Sequence, residues 1–115
     1  MPEKRSFPRH RRRLLVEWAA DGLASAGFTH DVSPAGMFIC STLIPEPKVV
    51  LTITLALPDG RKLRLRGVIV RTYRVAASLR RTLPNGFSVR LIEAPEEYFV
   101  LLADLLSVRL PEETA

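Results

Sequence analysis

The chain has 115 residues, 47% hydrophobic and 25% charged, the balance of one globular domain with a single core and no room for a second. A lone cysteine, Cys40, excludes an intramolecular disulfide and a thiolate metal cage, and no apolar run approaches the roughly 20 residues that span a bilayer. The net charge is +5, and all of it lies in residues 1–13, where six basic residues oppose Glu3; residues 14–115 hold eleven of each sign. A neutral body with one cationic arm suits a compact phosphate-rich ligand, an anionic membrane surface or nucleic acid. The apolar run after the arm, Leu14-Leu15-Val16, stops at Glu17, too short for a signal-peptide core, so the expected location is cytoplasmic.

In chain order, residues 1–13 read as a flexible basic arm. Leu14 to Ala19 reads as a strand with Leu14, Val16 and Trp18 on one face, and Asp21-Gly22 as a turn. Gly27 to Val32 and Met37 to Cys40 are short strands joined by the turn Ser33-Pro34-Ala35-Gly36. After the break at Pro45-Glu46-Pro47, Val49 to Leu57 alternates Leu51, Ile53, Leu55 and Leu57 against threonines. Pro58-Asp59-Gly60 signals a hairpin, answered by Leu63 to Arg74, where Leu63, Leu65, Val68 and Val70 sit among arginines and Gly67 marks a bulge. A polar, basic connection leads to the strand Phe87 to Ile92. The period then changes: Pro95 with Glu96 and Glu97 starts a helix, and Tyr98, Leu101, Leu102, Leu105 and Leu106 recur at helical spacing to about residue 109. Six short strands and one helix imply an all-β fold, an antiparallel barrel or sandwich with a helix lid, over residues 14–110, followed by an acidic tail at 111–115.

The residues point away from an enzyme. His30, Asp31 and Ser33 are too close along one strand to assemble a triad, and in regular alternation His30 and Asp31 diverge. Two histidines and one cysteine give no metal-ligand spacing, and no phosphate-binding glycine loop is present. Cys40, after Phe38 and Ile39, reads as a small core residue.

Two segments carry chemistry. In Arg5-Ser6-Phe7-Pro8-Arg9, two guanidiniums flank an aromatic and a proline; arginine forks onto phosphate or a guanine edge and stacks on a purine, while Pro8 keeps Phe7 extended. In Asp31-Val32-Ser33-Pro34-Ala35-Gly36, strand period puts Asp31 and Ser33 on one face. There Asp31 can accept from a guanine pairing edge, Ser33 can donate to phosphate, and Gly36 lets the turn close and a ligand approach. The second segment fits a plain turn before a strand equally well.

Together these segments resemble the PilZ domain family, whose signature is RxxxR in an N-terminal arm followed, after one strand, by [D/N]xSxxG. Gly36-Met37-Phe38-Ile39, Leu57-Pro58-Asp59-Gly60-Arg61 and Gly86-Phe87-Ser88-Val89-Arg90-Leu91 resemble further family segments, so the match spans about residues 5–108. The resemblance implies a six-stranded antiparallel β-barrel with a C-terminal helix that binds cyclic di-GMP through Arg5, Arg9, Asp31, Ser33 and Gly36, with no other cofactor and no metal. One departure follows the arginine pair: His10-Arg11-Arg12-Arg13 stands where the family has apolar residues, and Arg9/Arg13 form a second RxxxR. Arg5/Arg9 fit the family better, leaving Arg11, Arg12 and Arg13 for additional phosphate contacts or for a partner, lipid or nucleic acid.

The leading expectation is a stand-alone cyclic di-GMP receptor that signals to an effector protein by ordering its arm. The second is a PilZ-fold interaction module that binds no nucleotide. The third, a small nucleic-acid-binding protein, is disfavoured by the absence of basic excess beyond residue 13. The leucine-rich helix is either wholly buried on the barrel or free in part to form a homodimer.

Overall fold

A computed structural model describes residues 10–81 and 83–109. Among these residues there are seven strands: β1 (His10–Arg11), β2 (Leu15–Ala20), β3 (Leu23–Val32), β4 (Gly36–Cys40), β5 (Val50–Ala56), β6 (Lys62–Tyr73) and β7 (Gly86–Glu93). A one-turn 3-10 helix (Ala77–Leu79) follows β6, and α1 (Glu96–Arg109) ends the described chain. All pairings are antiparallel. β2, β5, β6, β7 and β4 follow one another, and β3 pairs with both β2 and β4, so β2–β7 close into a six-stranded barrel. The two-residue β1 lies along the edge of β3 beyond the stretch that pairs with β2.

Alternation fills the interior. Val16 and Trp18 of β2, Leu51, Ile53 and Leu55 of β5, and Leu63, Leu65 and Ile69 of β6 are all buried. Trp18 meets the Phe87 ring edge-on at 5.5 Å and donates its Nε1–H to Ser41 Oγ at 3.3 Å. Tyr98 and Leu102 of α1 close one end of this core. The Pro95 carbonyl accepts the Tyr98 N–H at 3.0 Å, and Glu96 and Glu97 occupy the first turn, where the helix dipole favours them. The side chains of Leu105 and Leu106, and the acidic tail, lie outside the described residues.

Three sequence expectations need correction. β3 begins at Leu23 rather than Gly27: its first half, Leu-Ala-Ser-Ala, pairs fully with β2 although these residues carry little strand propensity. On β6 the inward residue after Gly67 is Ile69, while Val68 faces out and Val70 is 54% exposed. The register breaks twice along the β6–β7 ladder, where Ile92 of β7 and Val70 of β6 are the unmatched residues. The third concerns His30. The β3–β4 register skips it, so Thr29 and Val32 both face in while His30 and Asp31 between them are both half-exposed; they do not diverge.

Candidate ligand-binding groove

Two of the three register breaks, at His30 and at Val70, define the site. Lateral pairing joins Asp31 to Phe38, Phe38 to Ser88, and Ser88 to Arg71, one outward row across β3, β4, β7 and β6. At each end an extra residue, His30 on β3 and Val70 on β6, breaks the alternation immediately before the charged residue. Bulges re-aim side chains in this way at barrel surfaces and sites. The row forms the floor of an open groove of about 580 Å³ that Tyr73 and Arg74 also line. The Phe38 ring lies between two others, His30 at 6.0 Å and Tyr73 at 5.3 Å.

Val75, Leu83 and Pro84 form the wall on the β6 side. The base of that connection is tied down by Asn85, whose side-chain carbonyl accepts the Val75 N–H at 2.7 Å and whose amide donates to the Ser41 carbonyl at 2.8 Å. Arg80 Nε donates to the Val75 carbonyl at 2.9 Å, and Arg74 Nη2 to the Ile44 carbonyl at 3.3 Å.

The second motif splits. Asp31 lines the groove; Ser33 and Gly36 do not. Ser33 is buried, and its hydroxyl is used inside the turn, accepting the Ala35 and Gly36 N–H groups at 3.2 Å each and donating to the Gly36 carbonyl at 3.3 Å. Gly36 lets two strands approach rather than opening a path to solvent: a Cβ there would stand 2.0 Å from the Val89 carbonyl oxygen. The Tyr98 hydroxyl donates to the Ser33 carbonyl at 2.8 Å, so the helix is bonded to the motif turn.

The arm enters along β3. Arg11 pairs with Asp31 in the β1–β3 register, the Arg12 N–H donates to the His30 carbonyl at 3.3 Å, and the buried Thr29 hydroxyl accepts the Leu14 N–H at 2.9 Å and donates to the Arg12 carbonyl. The Arg13 guanidinium lies over the Phe28 ring, 3.9 Å from its centre, and Arg12 is exposed. Arg5 and Arg9 lie outside the described residues. Cys40, paired laterally with Phe28, is half-buried rather than in the core, and burial pushes its thiol above the usual range.

Sequence reasoning missed Phe38, Arg71, Tyr73, Arg74 and Ser88 as site residues. One signal was available: nine Lys and Arg and no Asp or Glu fall between Asp59 and Glu93, so the neutral body is segregated in charge along the chain. A second depression, of about 430 Å³, lies toward the other end of β6, but Arg66 on its lining is ion-paired with Glu93 at 3.0 Å. Among the described residues no group of three or more His, Cys, Asp or Glu is placed to hold a metal, and no helix is long and apolar enough to cross a membrane.

A small closed six-stranded barrel carrying one C-terminal helix and an open outer groove defines the class of fold. The PilZ domain model matches residues 3–107, and the chain belongs to the PilZ domain family. Among solved structures it is similar to the Bacillus subtilis inhibitor of motility MotI/DgrA (14% identity, TM-score 0.76), covering 98% of this chain and 55% of that one. The chain thus spans about half the length of that relative. It is also similar to the PilZ domain of CeSA from a cellulose-synthesizing bacterium, with 19% identity and a TM-score of 0.58, covering 90% of this chain and 99% of that one. No curated protein matches it.

Proposed function

We propose that this PilZ domain is a receptor for cyclic di-GMP, held at the β3 end of the groove by Asp31 and by the arm arginines Arg5 and Arg9, and that it signals to an effector protein. The observation that carries this reading is the β1–β3 register. Arg11 sits opposite Asp31, so the arm, with Arg9 two residues upstream, enters beside the acidic residue of the second motif. A dianionic ligand neutralises a self-repelling arm and favours its ordered state, which presents a new surface to a partner. In this reading Arg11, Arg12 and Arg13 are candidates for additional phosphate contacts. Ser33 and Gly36 act here through the turn they build, not by touching the nucleotide.

The test is a calorimetric titration with cyclic di-GMP, with GTP and a linear dinucleotide as controls. Selective binding is expected, and Arg9→Ala and Asp31→Ala are each expected to weaken it at least tenfold, about 1.4 kcal/mol, while melting as the parent does. Undiminished affinity in both variants would remove the reading. One observation favours the second reading, an interaction module that binds no nucleotide: the polar atoms of Ser33 and the open face of Gly36 are already consumed by the fold. Absence of binding at physiological salt decides for it.

A further inference from the structure

We propose that the β6 end of the groove is an anion-binding half-site, in which Arg71 and Arg74 take a phosphate and the Tyr73 ring, packed against Phe38, offers a face to a base. The inference rests on the receptor reading for its ligand but on separate residues for its argument. Arg71 stands at the end of the lateral row opposite Asp31, re-aimed outward by its own bulge at Val70. Three inter-strand spacings separate the two ends, roughly 14 Å at the backbone. The row therefore runs from a carboxylate that accepts hydrogen bonds to guanidiniums that only donate them. A ligand that spans it must carry donors at one end and an anion at the other, as a guanine nucleotide does.

The charge on this side has little to neutralise it. Arg71 makes no ion pair among the described residues, and Arg74 spends one N–H on the Ile44 carbonyl, leaving the rest of its fork. Tyr73 is 40% exposed, so its ring has a face to offer, and its tilted contact with Phe38 fixes it in place. The wall behind is anchored by Asn85, so the half-site is preorganised rather than assembled on binding.

The test pairs two probes. Calorimetry with cyclic di-GMP on Arg71→Ala, Arg71→Lys and Tyr73→Ala is expected to show at least a tenfold loss for Arg71→Ala, a smaller loss for Arg71→Lys and a loss for Tyr73→Ala, at unchanged melting temperature. Lysine keeps the charge and loses the fork. Independently, NMR titration of the parent with inorganic pyrophosphate is expected to shift the Arg71 and Ser88 amides, and the shift should vanish in Arg71→Ala. If the parent binds cyclic di-GMP and Arg71→Ala binds it within twofold, the half-site is overturned and the receptor reading stands. If the parent does not bind cyclic di-GMP but pyrophosphate still shifts those amides through Arg71, the receptor reading fails and the anion site stands. If neither probe binds, both fail.

Discussion

Gly36→Ala separates the two roles a motif glycine can have. The new Cβ would meet the Val89 carbonyl oxygen at 2.0 Å, and it is backbone that it meets, which no rotamer change can relieve. An ordinary C···O contact needs about 3.3 Å, so β4 and β7 would have to part by roughly 1.3 Å at this corner. The Leu91 N–H to Ala35 carbonyl bond, now 2.8 Å, and the ladder bonds beside the Gly36–Arg90 pair would then exceed hydrogen-bonding reach. Losing two or three such bonds at about 1 kcal/mol each costs about 2–3 kcal/mol. For a domain of this size that lowers the melting midpoint by roughly 8–12 °C. Thermal unfolding followed by circular dichroism measures it, beside a cyclic di-GMP titration well below the midpoint. A variant that melts within 2 °C of the parent yet loses the nucleotide would refute the reasoning, since the glycine would then serve the ligand and not the barrel.

Other perturbations reach the joints around the groove. Thr29→Val keeps the shape but removes the two hydrogen bonds of the hydroxyl, from the Leu14 N–H and to the Arg12 carbonyl, and should cost about 1–3 kcal/mol in denaturant unfolding, leaving a buried Leu14 N–H unpaired. Tyr98→Phe should cost about 1 kcal/mol and speed amide exchange at Ala35 and Gly36 as well as in the helix, because one hydroxyl ties the two together. Because burial raises the Cys40 thiol pKa, the folded protein should alkylate more slowly than free cysteine at pH 8, and the rate should climb only at higher pH; equal rates would contradict the burial.

The core was legible because its pattern is local. Leu51, Ile53 and Leu55, or Val16 and Trp18, declare their inward face by alternation alone, and Pro95 with two glutamates declares the helix start. The first half of β3 was not legible because Leu-Ala-Ser-Ala becomes strand through pairing with β2, not through its own propensity. The groove is harder still. Asp31, Phe38, Ser88 and Arg71 are neighbours only after four strands have taken their registers, and closure of the barrel sets those registers. The motif spacing identified Asp31 correctly as outward-facing but misread Ser33, whose hydroxyl serves its own turn.

The bulges have a consequence for chain length. Elsewhere in these strands, removing one residue inverts every side chain beyond it and puts polar groups into the core. At His30 and Val70 the ladder already skips a residue. Deletion there would leave Thr29 and Val32, or Ile69 and Thr72, facing in as before, and would straighten the strand. The barrel can thus lose a residue at these two positions and keep its interior, giving up only the aim of Asp31 or Arg71.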